Sequence, residues 1–149
     1  MTEILFYHLE RQPLERVLPL LLEKTLQRGW RAVVQTGSRE RAEALNAHLW
    51  TYTDHGFLPH GTADDGHEDK QPIYLTQEEV NPNKAHIRFF VDGADGEDFE
   101  GYERAVFMFD GHDEQALDLA RARWKAIKSA GLEATYWQQN EAGGWEKKA

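Results

Sequence analysis

Residues 3–36, EILFYHLERQPLERVLPLLLEKTLQRGWRAVVQT, decide the fold. Residues 3–8 are a nearly continuous apolar run of single-strand length, the pattern of a strand covered on both faces. Helical spacing then takes over across residues 13–28. Leu14, Val17, Leu18, Leu21, Leu22 and Thr25 fall on one side of a helix, with Pro13 suited to its first turn and Gly29 to its end. Pro19 does not fit: six residues in, it removes an N–H and predicts a kink. Residues 30–36, WRAVVQT, read as a second strand. Strand, helix and strand of these lengths imply a parallel pair joined by a right-handed crossover.

The pattern continues outward from there. Ser38 is placed to cap a helix over residues 39–50, with Ala42, Leu45 and Leu49 facing inward. Residues 51–71 carry turn and acidic residues around one apolar island, GFLPH at 56–60. Residues 73–76, 86–91, 104–110 and 132–139 read as further strands, and a third helix begins near residues 112–113. The expected architecture is a three-layer α/β sandwich, Rossmann-like, with a mostly parallel sheet of about six strands and three main helices. Residues 1–139 form a single α/β domain on this reading. Residues 140–149 are a polar C-terminal tail, mobile or a weak edge hairpin.

The chain has no cysteine, which excludes disulfides, zinc–thiolate sites and thiol catalysis. Its formal net charge is −9, and residues 61–115 hold fifteen acidic side chains against four basic ones. A body this acidic repels nucleic-acid phosphates, so direct DNA or RNA binding is disfavoured. Residues 1–9 lack a basic n-region, and no apolar run approaches the roughly 20 residues that span a bilayer. A cytoplasmic location away from membranes is expected.

One segment departs from this balance. Residues 117–131, LDLARARWKAIKSAG, carry Arg121, Arg123, Lys125 and Lys128, with no acidic residue from Leu119 to Ala130. On a helix, Ala116, Leu119, Ala120, Ala126, Ile127 and Ala130 form an apolar stripe. Arg121, Lys125 and Lys128 fall together beside it at i, i+4 and i+7, with Trp124 on the border. An aromatic floor with a cationic rim suits a partner with carboxylates and an apolar tip, such as an acidic peptide with a free carboxylate end. Arg123 lies within the apolar face and is expected to be structural, paired to a carboxylate or snorkelling out.

Enzyme chemistry is poorly supported. The loop after the first strand, HLERQPLE at 8–15, has no glycine to bring backbone amides onto a pyrophosphate, and no Walker-type loop occurs. Asp92, Asp95, Glu97 and Asp98 miss the alternation of a calcium loop. His55, His60 and His67 among nearby carboxylates are the best metal ligands, and a metal-dependent small-molecule enzyme built on that loop is the first rival reading. Direct binding of single-stranded DNA through Trp and Tyr side chains is the second. No cofactor is expected. Trp50, at the end of the second helix, and Phe57, in the apolar island, form a candidate second protein-binding surface.

Taken in order, ILFYHL (4–9), RGWRAVV (28–34), LNAHLW (45–50), GFLPHG (56–61), QPIYLT (71–76) and LARARWKAIKSAG (119–131) resemble the chi subunit family of the bacterial DNA polymerase III holoenzyme. The resemblance implies a non-catalytic clamp-loader accessory subunit that binds the acidic C-terminal tail of the single-stranded-DNA-binding protein, and in many members the psi subunit. It touches DNA only indirectly. Carried over, the tail site falls on Arg121, Trp124 and Lys125 with Lys128 as neighbour, and the psi-facing surface on Trp50 and Phe57. Trp124 stands where the family commonly has tyrosine, and Pro19 is atypical of its first helix.

Overall fold

The structure is a computed structural model that describes residues 2–52, 58–96 and 98–149. Strand β1 (Glu3–Leu9) leads to helix α1 (Leu14–Gln27), strand β2 (Ala32–Gln35) and helix α2 (Arg39–Thr51). Strands β3 (His60–Gly61), β4 (Ile73–Thr76), β5 (Ile87–Phe90) and β6 (Arg104–Asp110) follow. Helix α3 (Glu114–Ser129) and strands β7 (Ala134–Gln139) and β8 (Trp145–Lys147) complete the chain. The strands form one sheet in the order β3-β4-β2-β5-β6-β1-β7-β8, parallel except for the β7–β8 pair.

The layered α/β class agrees with the sequence reading, but the sheet has eight strands rather than about six. The additional strands are β3, of two residues and too short to show any alternation, and β8, of three residues, which takes the edge-hairpin alternative for residues 140–149. Beyond Gln139 the chain folds back as the β7–β8 hairpin, and Trp145 packs at a tilt against Tyr7 with ring centroids 4.7 Å apart.

β1 is apolar along its length because both of its faces are covered. Leu5 and Leu9 join the cluster under α1 and α2, whereas Ile4 and Phe6 join the cluster under α3. α2 starts where the sequence places it, with Ser38 Oγ accepting from the Arg41 N–H at 3.2 Å. α1 does not stop at Pro19. Proline removes the donor that would have bonded the carbonyl four residues earlier. That carbonyl, of Glu15, accepts instead from His48 Nε2 of α2 at 2.7 Å.

Among the described residues, no helix covers the α3-side face of β2 and β4. The connections from β4 to β5 and from β5 to β6 cross it as loops, over Val33, Tyr74, Ala85 and Tyr102. Loops carry unpaired carbonyls, and the buried Arg88 of β5 satisfies them. Its guanidinium donates to Glu78 O at 2.8 Å, Val80 O at 2.7 Å and the Tyr102 hydroxyl at 2.9 Å. It also grips Gln35 Oε1 at 2.6 and 3.0 Å, and Gln35 Nε2 donates to Asp95 O at 3.0 Å. One buried cation thus stitches both loops to the sheet.

Candidate partner-binding surface

α3 rests on a ladder of rings. Phe90, Phe107, Phe6 and Tyr136 are register partners on four adjacent strands, β5, β6, β1 and β7. Their rings stack across the sheet with centroids 4.5, 5.0 and 6.5 Å apart and near-parallel planes. Trp124 stands edge-on to this ladder, 5.4 Å from Phe6 and 5.9 Å from Tyr136, at 80° and 89°. Such edge-to-face contacts add to simple burial and fix the plane of the indole.

The ladder also sets the rotation of α3. Asp113 caps the helix by accepting from Gln115 N and Ala116 N, and Gly131, at φ 75°, ends it. The buried side is Ala120 and Ile127 with Ala116, Arg123 and Trp124 partly covered, whereas Ala126 and Ala130 are exposed and Leu119 is 39% exposed. The expected stripe through Leu119, Ala126 and Ala130 is therefore corrected. An indole and a long guanidinium stem remove more apolar area from water than three small outward positions, so the helix turns toward them.

The outward rim is cationic. Arg121 and its i,i+3 partner Asp118 lie 3.5 Å apart, with the arginine side chain 68% exposed. Lys125 and Lys128 are exposed, and Lys128 Nζ sits 5.2 Å from the Trp124 ring centroid. Arg123 behaves differently from its neighbours. Its side chain is only 14% exposed, its Nη2 meets Asp95 Oδ1 at 3.3 Å, and its Cζ lies 5.2 Å over Phe107. Burial lowers its pKa and Asp95 opposes the shift. Tyr136 links this face to His8, with its hydroxyl 2.8 Å from His8 Nδ1. Burial pushes the phenol up while Arg121 opposes, and burial pushes the imidazole down while Glu10 opposes.

A well-formed concavity lies elsewhere. A crevice of about 820 Å³ opens at the C-terminal ends of β1 and β6, bordered by Glu10, Arg11, Gln12, Asp110 and Asp113. Arg121, Trp124, Lys125 and Lys128 do not line it, so the cationic face is separate from this crevice.

A family model described as "DNA polymerase III chi subunit, HolC" matches residues 1–135. The chain belongs to the DNA polymerase III chi subunit family. It is also 34% identical over 95 residues to a Rickettsia prowazekii (strain Madrid E) protein named "Probable DNA polymerase III subunit chi". That match spans 64% of this chain and 58% of the Rickettsia protein.

Of the second surface expected for a family member, Trp50 is 52% exposed at the end of α2, its ring tilted against His60 at 4.3 Å. Phe57 lies outside the described residues, as does His55. His60 is buried with both ring nitrogens facing backbone carbonyls, Leu58 O at 2.5 Å and Asn46 O at 3.0 Å. Neither nitrogen is turned toward the exposed His67. Among the described residues no three His, Asp or Glu side chains converge as a metal site, and no helix is long and apolar enough to cross a membrane.

Sequence reasoning missed the Phe90–Phe107–Phe6–Tyr136 ladder and the role of Gln139 beside Glu10–Gln12. The ladder leaves a signal, one aromatic ring at an equivalent inward position in each of four strands. The Gln139 contact leaves none.

Proposed function

We propose that this chi-family chain is a non-catalytic accessory subunit of the replicative polymerase assembly. Its α3 face holds the acidic C-terminal tail of the single-stranded-DNA-binding protein. The observation that carries this reading is the pairing of a half-buried, geometrically fixed indole with three exposed cations, on a chain whose net charge is −9. Arg121 and Lys125 reach a terminal carboxylate and nearby acidic side chains through charge-assisted hydrogen bonds. Trp124 packs an apolar end residue, and Lys128 flanks it. The tail is thereby tethered to the clamp loader while nucleic acid is repelled by the acidic body. Trp50, with Phe57, offers a second protein surface, for the psi subunit where one is present.

The test is a titration with a synthetic acidic peptide ending in a free carboxylate. Arg121→Ala and Lys125→Ala each remove a charge-assisted bond of about 1.5–3 kcal/mol, and so weaken binding roughly ten- to a hundredfold. Affinity falls with added salt, because the rim is exposed. Arg123→Ala leaves the affinity within a few-fold of wild type. Equal loss in all three variants, with folding intact, rejects the assignment.

A further inference from the structure

In sheets of this topology, ligands bind in the crevice between neighbouring strands whose following helices lie on opposite faces, and the loop after the first strand offers its N–H groups to a phosphate. Here that strand pair is β1 and β6, followed by α1 on one face and α3 on the other. The N–H groups of the β1–α1 loop are already engaged. Those of Glu10, Arg11 and Gln12 all point at one atom, Gln139 Oε1, at 3.3, 3.1 and 3.3 Å. Gln139 ends β7, is 3% exposed, and donates through Nε2 to Gln12 Oε1 at 3.2 Å. The carboxamide fits only in this sense, since the reverse would set an amino group against three donors. Three successive amides converging on one oxygen form an anion nest, and all three bonds are at the long end of the amide range.

We infer that Gln139 is a built-in plug: its carboxamide oxygen fills the amide cradle of the β1–α1 loop, on the β7 side of β1, closes that cradle to phosphate-bearing ligands and latches the β7–β8 hairpin to the loop. Glu10, Glu15, Asp92, Asp110 and Asp113 line the adjoining crevice against Arg11, Arg41 and Arg123, an acidic excess that also disfavours phosphate. The two effects separate in a variant that loses the plug and keeps the carboxylates.

Nitrogen–proton correlation spectra of the full chain follow the Glu10, Arg11 and Gln12 amides during titration with inorganic phosphate, against sodium chloride of equal ionic strength. In wild type the three resonances stay in place. In Gln139→Ala they move saturably, and phosphate restores part of the melting temperature that the substitution loses. Amides that stay still in the variant, or that move equally in wild type, overturn the inference. Should the alanine variant not fold, Gln139→Glu keeps the shape and places a carboxylate in the nest. Three N–H donors then hold that carboxyl below the usual carboxylate range, and a titration at or above that range overturns the inference equally.

Discussion

Arg121 and Arg123 are two residues apart and face opposite demands, which makes Arg123→Ala a sharp test of how α3 is seated. The substitution deletes a guanidinium 5.2 Å over Phe107 and an ion pair of 3.3 Å to Asp95. The cation–π contact is partly shielded from water and contributes about 1 kcal/mol. Asp95 is 70% exposed, so the ion pair adds no more than about 0.5 kcal/mol. The stem packs two to three methylenes at about 0.8 kcal/mol each, some of which the alanine and local collapse recover. Opposing these, Arg123 Nε is buried without a partner among the described residues, and removing it relieves about 1 kcal/mol. The net loss is about 2 kcal/mol. Urea denaturation reads it as a lower midpoint with unchanged slope. Arg123→Met keeps the stem and recovers more than half of the loss. A methionine variant as unstable as the alanine one, or an alanine variant within about 0.5 kcal/mol of wild type, refutes the packing argument.

Three further outcomes follow from the same geometry. His48→Ala strips the Glu15 carbonyl of the imidazole donor and costs about 1–2 kcal/mol; in a Pro19→Ala background, where residue 19 regains its own N–H, the cost shrinks, and additive losses in a double-mutant cycle contradict the compensation. Arg88→Met leaves the buried Gln35 Oε1 without its donor and frees the Glu78 and Val80 carbonyls, costs about 3–5 kcal/mol by denaturant midpoint, and speeds amide exchange in the loops of residues 77–86, 91–96 and 98–103; slow exchange there contradicts the stitch. Burial holds the His8 imidazole below its ordinary value near 6.5, so its contribution is present above that pH and is lost as pH falls through the lower folded value. The stability advantage of wild type over His8→Gln therefore narrows on acidification from about pH 7 to 5, and an advantage that widens refutes the sign.

The parts legible in the sequence are those fixed locally. The spacing of Arg121, Lys125 and Lys128 needs only the helical repeat, and the Ser38 cap only its neighbours. Trp124 turns inward because of rings at positions 6, 90, 107 and 136, which no window of sequence brings together. Arg88 occupies an inward position of a strand and reads as a break in the apolar pattern, although it is the element that replaces a missing helix. Pro19 reads as a defect until His48, on another helix, is seen to take up the carbonyl it frees. The Gln139 contact joins residues more than 120 positions apart, and its chemistry is invisible until β7 is laid beside β1.

The sheet ends on one side in a two-residue strand and on the other in a three-residue strand that ends at Lys147 and is followed by Lys148. Neither border presents enough backbone for a foreign strand to lengthen the sheet, and lysine at a border further discourages it. Brevity at both margins thus works against the sheet being extended edge to edge by a second copy of the same chain.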